Sequence, residues 1–373
     1  MKIYGLEDIK RVLPQIDLTP IIKEGFIAYS SGLSVVPPVG ELLFEDPPGD
    51  VHIKYGYIKN DDYYVIKIAS GFYGNHELNI PSSQGGMMIL FDQKTGKEVG
   101  ILIDQCYLTN VRTAIAGAIC VELFAPNNLN CIGVIGTGVQ ARMQISYLSN
   151  LTDCKKIKVW GRGGKSVEKY IEEMSLLGWN IEKAQTTDEI AATCDLIITA
   201  TPSKEPLLKS KNLKKGTHIN AIGSDSPEKN EIDHQIFKMT DLTVADSISQ
   251  CLERGEISHG IREGSIEQKN IKELGSLIKS KSDYHCQSNQ ITFAVRFENV
   301  NDEEEFDGVD GVGVVVVVVE VLRLFANNDD AVWCFGAVLL LPRFANNADA
   351  VALPLLRFAN NADAVLLLAF GCI

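Results

Sequence analysis

The sequence predicts an α/β protein built around a doubly wound parallel sheet. Short apolar segments alternate with helical segments in the middle of the chain, and a glycine-rich turn directly follows the first of them. Such alternation is typical of parallel strands covered by helices on both faces. The predicted strands are 131–135, 157–160, 196–200, 218–222 and 242–245. With 373 residues, the chain is long enough for this unit and a second domain.

Charge and cysteine content argue against several classes of protein. The formal net charge of −13 would repel nucleic acid and anionic membrane surfaces, so we expect neither as a partner. The nine cysteines include no C-x-x-C pair, which predicts neither a disulfide framework nor a metal site. Reduced thiols favour a cytoplasmic location. The acidic N-terminal segment is unlike a secretory signal, and no apolar run approaches the roughly 20 residues of a membrane span.

The turn after the first predicted strand is a dinucleotide fingerprint, G-x-G-x-x-A, in a strand–turn–helix context. Gly136 permits the tight turn, and Gly138 lets the backbone approach a pyrophosphate at the helix N-terminus. Ala141, in place of a third glycine, still allows the helix to pack closely on the strand. The sequence therefore predicts a Rossmann-type domain. Its candidate cofactor contacts in this turn are Gly136, Thr137, Gly138, Val139 and Gln140.

The end of the second predicted strand bears on the choice of cofactor. NAD sites usually have Asp or Glu there for the ribose 2′-hydroxyl, whereas this chain has Arg162, followed by Lys165 and Ser166. An arginine fork is suited to a 2′-phosphate, so we predict NADP(H) as the preferred cofactor and NAD(H) as the alternative. A solvated basic turn without a cofactor role would have the same composition. Thr201, in the loop after strand 196–200, is a further candidate contact.

The last fifth of the chain differs in composition from the rest. No lysine occurs after Lys281, and a Phe-Ala-Asn-Asn unit occurs three times without a fixed period. The valine run from Val314 to Val319 predicts an aggregation-prone strand. A frameshift or chimera is our preferred account of residues 295–373, with a genuine low-complexity appendage as the alternative. We predict a locally irregular, loosely docked tail and assign it no function.

Several segments together resemble the ornithine cyclodeaminase/mu-crystallin family over residues 2–294. Besides the dinucleotide turn, they are 66–68 (Ile-Lys-Ile), 71–75 (Gly-Phe-Tyr-Gly-Asn), 108–114 (Leu-Thr-Asn-Val-Arg-Thr-Ala), 200–202 (Ala-Thr-Pro), 223–227 (Gly-Ser-Asp-Ser-Pro) and 255–256 (Gly-Glu). The order of these blocks around the dinucleotide turn is specific. The segment 51–57 (Val-His-Ile-Lys-Tyr-Gly-Tyr) is most similar to the ectoine-utilisation and imine-reductase branch.

The resemblance implies an architecture. An N-terminal α+β domain for substrate binding and dimerisation, residues 1–116, precedes the nucleotide-binding domain, residues 117–294. In this family the C-terminus then returns to the first domain. The molecule is accordingly expected to be a homodimer.

The resemblance also implies roles by position. Lys67 and Arg112 would bind the substrate carboxylate, with Lys67 also part of the catalytic set, and Asp225 would move a proton at the reacting amine or imine. Thr113 would contact the cofactor. An amino- or imino-acid substrate needs a cation clamp and one positioned carboxyl group, which these residue types supply. Each has a structural alternative: an exposed edge lysine, a structural ion pair for Arg112, and a turn cap for Asp225.

Two positions depart from the family pattern. Val39 follows Pro37-Pro38 where many members have an arginine, and Lys54 is the candidate to replace that carboxylate contact. The segment 295–298 (Val-Arg-Phe-Glu) stands where the family has Asp-x-Thr-Gly.

Three hypotheses of function follow from the resemblance. The first is a reductase of the C=N bond of a small imino acid, such as a ketimine or an iminosuccinate-like compound. The second is an ornithine cyclodeaminase, which would convert ornithine to proline and ammonia with bound NAD. The third is a non-catalytic protein of the mu-crystallin type that binds NADPH and a small ligand.

Overall fold

Two β-sheets with a long helix between them organise the chain, as expected of an α/β protein. The computed structural model describes residues 1–37, 40–80, 84–224, 226–281, 284–295 and 317–322. None of the helices in these ranges is long and apolar enough to cross a membrane.

The N-terminal part forms a seven-stranded sheet, here called the mixed sheet. Its strands are β1 (Lys2–Gly5), β2 (Ser34–Val35), β3 (Gly40–Glu45), β4 (Pro48–Ile58), β5 (Tyr63–Phe72), β6 (Gln84–Asp92) and β7 (Glu98–Ile103). The strand order is β1-β7-β6-β5-β4-β2, with β3 paired to β4. The β1–β7 pairing is parallel, and the pairings of β2 to β7 with one another are antiparallel. The helices of this part are α1 (Leu6–Val12), α2 (Leu18–Ser30) and α3 (Tyr107–Phe124).

The second sheet, here called the parallel sheet, has eight strands. They are β8 (Ile132–Ile135), β9 (Lys156–Trp160), β10 (Asn180–Lys183), β11 (Leu196–Thr199), β12 (Thr217–Ala221), β13 (Leu242–Ala245), β14 (Ile271–Glu273) and β15 (Ile291–Val295). Their order is β10-β9-β8-β11-β12-β15-β13-β14, and every pairing is parallel. From β8 the chain adds strands towards one edge of the sheet, and from β11 it adds them towards the other. The point between β8 and β11 is the switch point where such sheets bind ligands. The predicted doubly wound sheet is thus confirmed.

Helices cover this sheet on both faces, so its central strands are buried on both sides. They are α4 (Val139–Tyr147), α5 (Gly164–Ser175), α6 (Thr187–Thr193), α7 (Ile248–Cys251), α8 (Gly255–Arg262) and α9 (Leu274–Ser280). All residues of β8, β11 and β12 are buried. Continuous apolar runs of this kind are what such a position requires.

Helix α3 joins the two sheets. Its Leu108, Val111 and Ile115 pack with Val65 and Met88 of the mixed sheet. Farther along the helix, Ala118 and Val121 pack with the β8 side of the parallel sheet. A helix in contact with layers on both sides must be apolar on nearly all its faces, which accounts for its sequence.

Residues 317–322 are helical and pack against the core of the mixed sheet. Val317, Val318 and Val321 are fully buried, and Leu322 lies against Gly100 of β7. The predicted strand is therefore wrong for Val317–Val319, and this segment is not loosely docked. Burial of valine against an apolar layer outweighs its preference for strands. The rest of the repetitive tail lies outside the described residues.

Candidate functional site

A cleft of about 280 Å³ lies at the switch point of the parallel sheet. The loops after β8, β9 and β11 form its walls. The lining residues are Gly136, Thr137, Gly138, Trp160, Gly161, Arg162, Gly163, Ser166, Ala200, Thr201, Pro202, Ser203 and Leu207. The three loops predicted to bind the cofactor therefore meet in one place.

The glycines of the dinucleotide turn have separate roles. Gly136 has a φ of +124°, and a Cβ on it would lie 2.4 Å from the carbonyl oxygen of Ala200. A larger residue would thus break the contact between the loops after β8 and β11. A Cβ on Gly138 would meet nothing within 4 Å, so the space in front of the α4 N-terminus is open. Exposed backbone N–H groups and the helix dipole make this a place for a pyrophosphate. The cleft fits a dinucleotide cofactor.

Arg142, in α4, stabilises the dinucleotide turn through hydrogen bonds to its backbone. Its guanidinium donates to the carbonyl oxygens of Thr137 and Gly138 and, over 2.6 Å, to the Glu173 carboxylate of α5. The Arg142 contact holds the pKa of Glu173 below its usual range. Because Arg142 holds the Thr137 and Gly138 carbonyl groups, the conformation of the turn is fixed. The open space at Gly138 then faces the cleft. Sequence reasoning missed this residue.

Arg162 lies at the rim of the cleft and is exposed. It forms no ion pair with any carboxylate in the described part of the chain. The exposed Ser166 lies in the first turn of α5, and its hydroxyl donates to the carbonyl oxygen of Gly163 over 2.8 Å. The position suits a phosphate group at the adenosine end of a dinucleotide.

Three other predicted cofactor contacts lie beside the cleft and do not line it. The Gln140 amide donates to Asn110 of α3 at 3.1 Å, which ties the first turns of α3 and α4 together. Val139 is 57% exposed at the start of α4. Thr113 is fully buried, with its hydroxyl donating to the Thr109 carbonyl oxygen over 2.9 Å.

The buried face of the mixed sheet has two lysines directly opposite each other. Lys54 of β4 pairs with Lys67 of β5, and each is 4% exposed. Directly opposite residues have Cβ atoms about 4.5–5.5 Å apart, so two ammonium groups repel unless anionic groups lie near them. Since β5 lies between β4 and β6, Lys67 is not an exposed edge lysine. This pair is a candidate clamp for a carboxylate.

Next to the lysine pair, β4 carries a histidine that lies between two carboxylates. His52 lies 3.1 Å from a Glu41 oxygen through Nδ1 and 3.3 Å from an Asp50 oxygen through Nε2. His52 and Asp50 are both buried on the same face as Lys54, because residues two apart on a strand share a face. The cluster fixes the histidine ring next to the lysine pair.

The loop that leads into α3 closes the same region. Gln105 and Cys106 both have positive φ values, +51° and +64°. Strain of this kind is common at functional sites. The preceding Asp104 is 1% exposed. Burial raises the pKa of Asp104, while the charge of Lys67 opposes this rise. Lys67 and Asp104 are therefore neighbours.

Arg112 and Asp225 complete the predicted set. Arg112 is 1% exposed in α3, where a guanidinium must be satisfied by anions or other acceptors. Asp225 lies outside the described residues, as does Val39. Ser224 and Ser226, the sequence neighbours of Asp225, are both buried in the loop after β12.

Two buried glutamates near that loop were not predicted to have a role. Glu231 and Glu256 are fully buried, and burial raises the pKa of Glu231 to about 7 and that of Glu256 well above its ordinary value. The Gly-Glu pair at 255–256 was one element of the family resemblance. Nothing in the local sequence marks Glu231 as buried.

The chain is similar to several known proteins in sequence and in fold. The iminosuccinate reductase of Paracoccus denitrificans is 29% identical over 210 residues, which cover 56% of this chain and 65% of that protein. An archaeal alanine dehydrogenase, solved as a dimer with bound NAD, superposes with a TM-score of 0.76 at 27% identity, covering 89% of this chain and 99% of that one.

The fold is also that of the Thermococcus litoralis Δ1-pyrroline-2-carboxylate reductase solved with NADH and L-proline. The TM-score is 0.77 at 22% identity, and the match covers 88% of this chain and 98% of that one. The sequence profile of the ornithine cyclodeaminase/mu-crystallin family matches residues 3–296. The chain therefore belongs to the ornithine cyclodeaminase/mu-crystallin family.

Proposed function

We propose that this protein is an NADP(H)-preferring reductase that converts the C=N bond of a small imino acid to an amine. The observation that carries the proposal is the Lys54–Lys67 pair, buried on a sheet face that α3 connects to the dinucleotide cleft. Named relatives include an iminosuccinate reductase and an alanine dehydrogenase, which act on small amino or imino acids.

Each residue has a separate role in the proposed reaction. Lys67 and Arg112 hold the substrate carboxylate, and Lys54 supplies a further cation next to Lys67. Asp225 provides or removes the proton at the substrate nitrogen. The Gly136–Gly138 turn and Arg162 would hold NADPH, which would supply the hydride. The exposure of Arg162 at the rim supports the preference for NADP(H), with NAD(H) as the second choice.

The nearest competing activity is ornithine cyclodeamination, which would consume no net cofactor. Incubation with ornithine and catalytic amounts of cofactor, with ammonia as the readout, separates the two. We expect no ammonia, and we expect NADPH oxidation with cyclic ketimines or iminosuccinate. Ammonia release at catalytic cofactor levels would contradict the reductase proposal, and binding of NADPH and imino acid without turnover would indicate a mu-crystallin-like carrier.

The role of Asp225 is tested by Asp225→Asn. General acid–base groups commonly contribute about 10²–10⁴-fold to rate, so we expect turnover to fall by that factor while the Kd for NADPH stays within a few-fold. A variant that retains most of its turnover would show that Asp225 is a turn residue.

The outer face of the mixed sheet supports a homodimer. One row across five strands consists of directly paired apolar residues: Ile3, Ile101, Ile89, Ile66 and Tyr55. Ile3 is 61% exposed and Tyr55 40%. A continuous apolar face of this extent is typical of a surface that binds another protein, and a second copy is the occupant we propose. We place the dimer in the cytoplasm, because the cysteines among the described residues are all free thiols.

A further inference from the structure

Glu231 lies buried beneath the crossing of two loops at the carboxyl edge of the parallel sheet. One of these loops follows β11 and carries Thr201, which lines the cofactor cleft. The other follows β12 and contains Gly223, two residues before Asp225. Glu231 is 0% exposed, so it cannot contact substrate or cofactor itself.

The Glu231 carboxylate accepts four hydrogen bonds from these segments. Oε1 accepts from the backbone N–H of Thr201 at 2.7 Å and from its hydroxyl at 2.6 Å. Oε2 accepts from the Thr199 hydroxyl at 2.8 Å and from the Gly223 N–H at 2.9 Å. Each oxygen therefore has two donors, and one of the two is a backbone N–H of a different loop.

The two loops also touch each other directly at this point. A Cβ on Gly223 would lie 2.4 Å from both the nitrogen and the oxygen of Thr201, and 2.6 Å from Glu231 Oε2. A shift of one loop would therefore displace the other, since packed backbone has no room to yield.

Glu256 anchors this arrangement to α8. Its carboxylate accepts the backbone N–H of Glu231 at 2.7 Å and that of Ile232 at 3.1 Å. The Gly255 N–H, next to it, reaches the carbonyl oxygen of Ser226 at 3.4 Å, which also ties α8 to the loop after β12. The backbone at Glu231 is thus held from the side opposite its carboxylate.

We propose that Glu231 is a positioning residue that fixes the spacing between the cofactor loop at Thr201 and the proton-transfer loop at Gly223. Because the proposed proton donor is Asp225, this inference rests on the proposed function. Hydride transfer and proton transfer must reach adjacent atoms of one C=N bond, so the two loops must keep a constant separation. Glu256 supports the position of Glu231.

Glu231→Gln is the sharpest substitution, because it keeps the size of the side chain. A carboxamide has one acceptor oxygen, and its NH2 group would face a backbone N–H of Thr201 or Gly223. The threonine hydroxyls can rotate to accept from the NH2 group, but the N–H groups cannot. One of the two loops therefore loses its anchor.

The matched control is Asp195→Asn. Asp195 is also a buried carboxylate next to β11 and accepts backbone N–H groups of Asn130 at 2.6 Å and Cys131 at 3.3 Å. It lies at the opposite edge of the same sheet, away from the cleft. Any loss of general stability affects this variant too, while the spacing of the two loops does not change.

The first measurement is kinetic. For Glu231→Gln we expect kcat to fall at least about tenfold while the Kd for NADPH changes less than about fivefold, since misplacement affects the reaction more than binding. Asp195→Asn should keep its kcat. Should Glu231→Gln fail to fold, Thr199→Val removes one donor to Oε2 and is expected to show a smaller loss of kcat with unchanged Kd.

The second measurement does not depend on turnover. Hydrogen–deuterium exchange is followed at residues 199–203 and 222–226 with and without NADPH. In the wild type and in Asp195→Asn, NADPH should slow exchange in both segments. In Glu231→Gln it should slow exchange in the first segment alone.

The outcomes separate this inference from the proposed function. If the wild type reduces no imino acid, the proposed function fails, and coupled protection of the two loops still decides the role of Glu231. If Glu231→Gln keeps both coupled protection and a kcat within threefold of wild type, or if Asp195→Asn loses kcat equally, the positioning role is wrong.

Discussion

Each of the two sheets buries a basic side chain on an interior strand, but the two residues have different surroundings. In the parallel sheet, His218 of β12 is fully buried beside the Phe124 ring, and its Nδ1 lies 2.9 Å from the Thr292 hydroxyl. In the mixed sheet, Lys67 of β5 lies opposite Lys54 and beside Asp104.

These surroundings distinguish a buried basic residue of the core from one that we propose binds substrate. Burial lowers the pKa of His218 to about 3, so this side chain is neutral and acts as part of the core. The two paired lysines repel each other on their buried face, and the nearby Asp104 carboxyl group offsets part of this repulsion. In the proposed function, an anionic ligand bound beside the two lysines offsets this repulsion further.

Lys67→Met should abolish most of the activity. A charge-assisted contact is worth about 1.5–3 kcal/mol, and loss of substrate orientation adds to this, so we expect kcat/KM to fall at least about a hundredfold. The assay is NADPH oxidation with an imino acid. Lys94→Met, at an exposed lysine paired with Asp62, is the control and should keep full activity. Equal activity of both variants would show that the lysine pair does not bind the substrate.

Ile66 is adjacent to Lys67 and lies on the opposite face of β5, where Ile66→Asp would introduce a charge. We expect it to weaken the dimer by at least about a hundredfold in Kd, because an unpaired carboxylate would be buried in the interface. Sedimentation measures the association state. Leu176→Asp, at a leucine that is 84% exposed beyond α5, should leave the association unchanged. A dimeric Ile66→Asp variant would mean that another surface forms the dimer.

Arg162→Asp should shift cofactor preference from NADPH towards NADH. A charge-assisted contact to phosphate is worth about 1.5–3 kcal/mol, which corresponds to about ten- to a hundredfold in affinity for NADPH. Fluorescence titration with both cofactors measures the change. Equal binding of the two cofactors by the wild-type protein would contradict the assignment.

His218→Gln should change the pH dependence of stability and leave turnover intact. The folded-state pKa of His218 lies near 3, below the ordinary 6.5, so its contribution to stability is present above pH 6.5 and is lost as pH falls towards 3. At pH 5 the wild type should have lost about 2 kcal/mol through this group. Denaturant titrations between pH 5 and 8 measure the difference between the two proteins. An identical pH dependence in the variant would show that His218 does not titrate in this way.

The parallel sheet was predictable from sequence, whereas much of the site was not. Apolar runs and the glycine turn at Gly136 are local signals, and they placed β8, β9 and β11 correctly. A role for Lys67 was predicted by resemblance alone, since its own strand alternates like any half-exposed strand. Roles for Glu231 and Arg142 could not be predicted, because their hydrogen-bond partners are distant in the sequence and come together only in the folded protein. The valines at 317–319 form a helix because the surrounding core determines their conformation, which local propensity does not encode.

Transfer of a deuterium label from the cofactor to the product tests whether the chain reduces a C=N bond. The protein is incubated with NADPH deuterated at the transferable C4 position and with cyclic ketimines or iminosuccinate, and the amino acid formed is analysed by mass spectrometry. We predict one deuterium at the α-carbon for each NADPH oxidised. Oxidation of NADPH without deuterium in an amino acid, or no oxidation with any imino acid tested, would contradict reduction of a C=N bond by this protein.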